Sequence, residues 1–150
     1  MIADYLPKRG IKIFLKSADK PSVIAELVDL LCDVYGLKNK ADVLKAILER
    51  EEMMSTGVGY GIAIPHAKTD VVSSPKMVAG ISKDGVNFDS IDGAPARIFF
   101  LLISPKNGSG EHVRILSELS RILNNPEARD KVLIAQNEKE FLETIKFYED

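Results

Sequence analysis

Apolar residues recur along this chain with two different periods, and the places where the period changes divide it into elements. Ile11, Ile13 and Leu15 alternate with polar or aromatic neighbours, which predicts a strand over 11–15. From Pro21 the spacing becomes helical: Val23, Ile24, Leu27, Leu30, Leu31 and Val34 share a face, Pro21 suits the first turn, and Gly36 suits the C-terminal cap. Asn39 stands where it can cap a second helix, whose stripe is Val43, Leu44, Ala46, Ile47 and Leu48 and whose polar end is Glu49-Arg50-Glu51-Glu52. Ile62-Ala63-Ile64, Met77 to Ile81 and Ile98 to Ile103 read as strands, the last apolar enough to be central. Asp84-Gly85 and Asp92-Gly93 are turn signals, with a short strand at Val86 and Phe88 between them. After a loop from Pro105 to Gly110, helical spacing returns in Val113, Leu116, Leu119, Ile122 and Leu123. Asn125-Pro126 and Asn137-Glu138 each read as a cap followed by a new helix, with Glu140 at the capping-box position of the second.

The order strand, two helices, several strands, three helices predicts one α/β domain over residues 1–150, built on a mostly buried mixed sheet. The hydrophobic share of 45% and charged share of 28% are those of an ordinary globular domain. A formal net charge of -2, with lysines and arginines scattered among carboxylates, gives no basic footprint for nucleic acid or an anionic membrane. Cys32 is the only cysteine, which rules out an intramolecular disulfide, and within Leu30-Leu31-Cys32 it reads as a small buried hydrophobe. With no signal-peptide core and no run of membrane-spanning length, a cytoplasmic address without membrane insertion is expected.

The chemistry concentrates in Ser55 to Lys68, STGVGYGIAIPHAK. Gly57, Gly59 and Gly61 permit unusual dihedrals or close approach to a ligand. Pro65 ends the apolar run, so His66 should leave the sheet at a rigid strand end. On pattern alone such a histidine is more often structural than reactive. His112 opens a helix, where unpaired N–H groups favour an anion, although taken alone it reads as a solvent-exposed first-turn residue. Arg50 suits a helix C-terminus and also has the planar fork of a phosphate clamp.

Other site types match poorly. No G-x-x-x-x-G-K-[ST] loop is present, and GVGYG does not give G-x-G-x-x-G. Ser55, His66 and Asp70 lack a nucleophile elbow. Two histidines with Asp70 or Glu111 have neither H-E-x-x-H nor a cysteine pair, so no metal or other cofactor is expected. An imidazole nucleophile attacking phosphorus remains, with Arg50, His112 and the Gly57–Gly61 backbone as supports.

The run ILEREEMMSTGVGYGIAIPHAK, Ile47 to Lys68, resembles the signature of the enzyme IIA components of the bacterial sugar phosphotransferase system, in the mannitol/fructose class that includes nitrogen-related regulatory members. The resemblance continues through NFDSIDGAPARIFFLLISP and GEHVRILSELSRIL. It implies a mixed sheet of roughly five strands flanked by helices on both faces, and a phosphohistidine relay. His66 would accept phosphate on Nε2 from the carrier HPr and pass it to an enzyme IIB partner, usually to a cysteine there. Arg50 and His112 match the two supporting positions, for charge stabilisation and hydrogen bonding, and Gly57, Gly59 and Gly61 are expected to bind phosphate. The chain is expected to carry no fused IIB, IIC or HPr segment, with its partners on separate chains. The alternative within the family is a regulatory module that docks on target proteins in one phosphorylation state. Tyr60 stands where many relatives carry Asn or Glu, and Ala67 where they carry Gly, both bearing on partner choice.

Overall fold

In the computed structural model, which describes residues 1–108 and 110–149, two 3-10 turns (Ile2–Tyr5 and Lys8–Gly10) lead into β1 (Ile11–Lys12). Helices α1 (Lys20–Tyr35) and α2 (Lys40–Met53) follow, then β2 (Gly57–Gly59), β3 (Ile62–Ala63), β4 (His66–Lys68), β5 (Lys76–Val86) and β6 (Ala96–Ser104). Helices α3 (Glu111–Leu123), α4 (Pro126–Leu133) and α5 (Glu138–Glu149) complete the chain.

The helix boundaries have local causes. Asp19 caps α1 by accepting from the Ser22 amide at 2.9 Å, and Gly36 ends it in the left-handed region at φ 63°. Asn39 occupies the N-cap position of α2 without a side-chain bond. Asn125 accepts from Glu127 N, and Asn137 from Glu140 N, both at 2.9 Å. Glu140 reaches back to the amide of Gln136 at 3.4 Å, one residue before the cap.

The sheet runs β1-β5-β6-β3-β2, with β4 also on β6. β1 is parallel to β5; β6 is antiparallel to β5 and parallel to β3 and β4; β2 is antiparallel to β3. Because β3 and β4 lie end to end along one edge of β6, six strands occupy the five lanes expected.

Successive residues of β5 and β6 face opposite ways, as the strand period requires. Met77, Ala79, Ile81, Ile98, Phe100 and Leu102 pack under α3, α4, α5 and the N-terminal turns, whose Ile2 and Leu6 are buried. Val78, Phe99, Leu101 and Ile103 pack against α1 and α2, where Cys32 is buried as a small hydrophobe. Helices therefore cover both faces, and β6 separates two cores.

Three local expectations change. The strand predicted over 11–15 is regular only at Ile11 and Lys12, although Leu15 N still donates to Ile81 O at 2.9 Å. Asp84-Gly85 does not turn the chain: Gly85, at φ 82°, lies within β5, which continues until Val86 pairs with Ala96 across an irregularity. His66 does not leave the sheet, because Pro65 only interrupts the lane. The Pro65 carbonyl accepts from Leu102 N at 3.0 Å, and His66 resumes pairing opposite Leu102. In a parallel lane one missing donor costs one bond, and the strand re-forms at once.

Candidate functional site

His66 begins β4, half-buried, and its orientation is set by the backbone two residues earlier. Its Nδ1 lies 2.7 Å from the Ile64 carbonyl oxygen. A carbonyl only accepts, so Nδ1 carries the proton and Nε2 keeps an unshared pair. Burial lowers its pKa below the usual histidine value and nearby Arg50 lowers it further, against the Ile64 bond and Glu51, which raise it. The neutral, nucleophilic form therefore persists at pH 7.

His112 stands in the first turn of α3, and the structure corrects both its exposure and the phase of that helix. It is buried, and with Ile115, Leu119 and Ile122 it forms the inward stripe, whereas Val113 is 65% exposed. The spacing 112, 115, 119, 122 was available in the sequence, but assigning the stripe to Val113 and Leu116 hides it. Its Nδ1 lies 2.7 Å from Ser104 Oγ at the end of β6. Burial, with His66 and Lys68 nearby, pushes its pKa down to about 4, so it too is neutral at pH 7. The two imidazoles are 5.4 Å apart, centre to centre, tilted by 59°. When the Ser104 hydroxyl donates to Nδ1, His112 offers Nε2–H to an incoming oxygen.

Both rings line a cleft of about 550 Å³ together with Arg50. Arg50 lies in the last turn of α2, where Nη1 donates to the Met54 carbonyl at 2.9 Å. This bond leaves the rest of the fork available. Lys45, Lys68 and Lys106 also line the cleft, against the carboxylates of Asp42 and Glu49. Four fixed cations against two anions, with both histidines neutral, favour an anionic ligand. Lys68 and Lys106 are cations that motif reading passed over; their only signal was proximity in sequence to His66 and to the loop before His112.

The glycines lie elsewhere. None of Gly57, Gly59 and Gly61 lines the cleft. They build a tight hairpin whose two central residues, Tyr60 at φ 58° and Gly61 at φ 78°, both take positive φ. A Cβ on Gly57 would stand 2.5 Å from Ser90 Oγ, so that glycine admits a neighbouring chain segment rather than a phosphate. Tyr60 N donates to Asp92 Oδ2 at 2.9 Å, and the Arg129 guanidinium lies 4.8 Å from its ring centre, which fastens the hairpin tip.

The Ser55–His66–Asp70 alternative has no geometric support. The Ser55 hydroxyl donates to the Phe88 carbonyl at 2.6 Å, and the His66 Nδ1 that a triad would aim at Asp70 is on Ile64. Glu111 accepts from Tyr5 OH at 2.6 Å. Among the described residues no group of three His, Cys, Asp or Glu side chains is placed to hold a metal. Likewise, no helix is long and apolar enough to cross a membrane.

A two-core α/β layer thus carries a neutral imidazole held by its own backbone, a second imidazole beside it and cations around both, an arrangement suited to an anion. The chain belongs to the family described as "Phosphoenolpyruvate-dependent sugar phosphotransferase system, EIIA 2", whose pattern matches residues 4–148. It is thus a member of a phosphotransferase family. It is 40% identical over 144 residues to the fructose-specific EIIABC component of Bacillus subtilis strain 168, covering 96% of this chain and 23% of that protein. It is 39% identical over 138 residues to the fructose-specific EIIA component of Haloferax volcanii, covering 92% of this chain and 90% of that protein. Among solved structures, the nitrogen regulatory protein IIA-Ntr of Neisseria meningitidis superposes with a TM-score of 0.89 at 28% identity, covering 96% of this chain and 98% of that one.

Proposed function

We propose that this chain is a phosphohistidine relay that accepts a phosphoryl group from phospho-HPr on His66 and donates it to an enzyme IIB component, in sugar uptake. The observation that carries the reading is the bond from His66 Nδ1–H to the Ile64 carbonyl, which leaves Nε2 as the single nucleophilic atom of the ring. Transfer breaks the P–N bond to the donor histidine as Nε2 forms its own, and the shared charge on the moving oxygens meets Arg50 and the cleft lysines. His112, uncharged, donates a hydrogen bond without forming a competing ion pair. The fructose-specific names of the two relatives support sugar transfer, and the A, B and C components joined in the Bacillus protein support a IIB acceptor.

The test is intact-mass measurement after incubation with phosphoenolpyruvate, enzyme I and HPr. One acid-labile phosphoryl group is expected on the wild type and none on His66→Ala, whose fold is retained. Full labelling of that variant removes His66 from the mechanism. The TM-score of 0.89 to IIA-Ntr favours a second reading, a regulatory module phosphorylated on the same atom that docks on targets in one state. A phosphoprotein that labels no IIB but switches a binding partner would establish it.

A further inference from the structure

Next to Arg50 in α2's last turn stands a charged residue that does not line the cleft. Glu51 has a side chain only 4% exposed, in a helix end whose neighbours face solvent. Burying a carboxylate is costly unless its oxygens are satisfied, and here both are. Oε2 accepts from the Thr56 amide at 2.7 Å and from Lys20 Nζ at 3.0 Å; Oε1 accepts from the Thr56 hydroxyl at 2.5 Å. Lys20 reaches in from the first turn of α1, across the Phe88 ring at 4.8 Å. The chain of bonds continues to the site. The Thr56 carbonyl accepts from Ile64 N at 3.0 Å, and the Ile64 carbonyl accepts from His66 Nδ1 at 2.7 Å.

We propose that Glu51 is a positioning residue for the nucleophile: by gripping both the amide and the hydroxyl of Thr56, it places Ile64 so that its carbonyl holds the His66 ring in the Nδ1–H tautomer. The proposal rests on the relay reading for its kinetic consequence, but not for its structural one. Glu51 does not line the cleft that holds both histidines, so its loss acts on kcat and leaves KM for phospho-HPr unchanged. The amide of Gln can accept from Thr56 N–H and Lys20 through its oxygen and donate to the Thr56 hydroxyl through its nitrogen, so the geometry survives loss of the charge.

The experiment compares Glu51→Ala with Glu51→Gln by long-range ¹H–¹⁵N correlation of His66 and by single-turnover acceptance from phospho-HPr. In Glu51→Ala the Nδ1–H tautomer gives way to a mixture and acceptance slows by about tenfold or more, the scale of a loosened reacting group. Glu51→Gln keeps the tautomer and stays within about twofold of the wild type. If Glu51→Ala does not fold, Thr56→Val, which removes only the hydroxyl bond, shows a smaller shift of the same kind. A folded Glu51→Ala with the native tautomer and rate overturns the proposal, as does Glu51→Gln with the wrong tautomer. A wild type that keeps the Nδ1–H tautomer yet takes no phosphate refutes the relay instead.

Discussion

Lowering the pH should destabilise this protein through its buried histidine before its carboxylates respond. His112 is held at a pKa of about 4 against an ordinary value of 6.5. The unfolded chain therefore binds a proton at His112 from pH 6.5 downward, while the folded chain refuses it until about pH 4. Stability is present above pH 6.5 and is lost as pH falls through that window. At 1.36 kcal/mol per unit, the full fall is worth about 3 kcal/mol, of which about 2 kcal/mol is lost between pH 7 and pH 5. His66, also depressed by burial, adds to the same slope. Glu26, held at about 2 by Lys12, Lys16 and Ser17, contributes stability that is lost only below the ordinary carboxylate value of 4.5. Urea denaturation at several pH values, for the wild type and for His112→Gln, separates these groups. The wild type should lose about 2 kcal/mol more than the variant between pH 7 and pH 5. Equal slopes, or a ring titration of His112 near 6.5 by NMR, would refute the reasoning. A phosphoryl group on His66 should move the His112 titration upward, since an anion beside the ring favours its charged form.

Arg50→Ala should slow phosphoryl acceptance by about one to two orders of magnitude while leaving His66 able to be labelled, and Arg50→Lys should restore only part, since the lysine has no planar fork. Rapid-quench kinetics reads both, and unchanged rates would return Arg50 to a helix-end role. Gly57→Ala should cost about 1–3 kcal/mol in a urea melt, because its Cβ meets Ser90 Oγ at 2.5 Å and Ser90 Cα at 3.0 Å. Adding Ser90→Gly should recover part of the loss, and no recovery would mean that the cost lies in the backbone instead.

What could be read from sequence was what local chemistry decides. Pro21, Gly36 and Asn125 mark helix ends because their effects act within a turn, and β6 declares itself through an unbroken apolar run. His66 was legible as a residue with a rigid mount, although its return to the sheet depends on Leu102, which no local pattern near His66 reveals. The glycines of β2 and its turn read as a ligand cradle because tight packing, as of Gly57 against Ser90, and open space for a phosphate call for the same residue. Glu51 was invisible. In the run Glu49-Arg50-Glu51-Glu52 it looks like one more solvated charge, and its burial depends on Lys20, thirty-odd positions earlier in the chain.

The place of β6 between two cores has a consequence for how the molecule comes into being. Both helical layers pack on β6, and β3, β4 and β5 all hydrogen-bond to it, yet it ends only at Ser104. During synthesis, α1, α2 and the first five strands emerge before the strand that most of them await. Neither apolar layer can close until roughly two thirds of the chain has left the ribosome. Even then β1 must find β5 across an interval spanning Ile11 to Ala79. Such long-range pairing predicts slow folding for a chain of this size, with early segments exposed long enough to need a chaperone's protection.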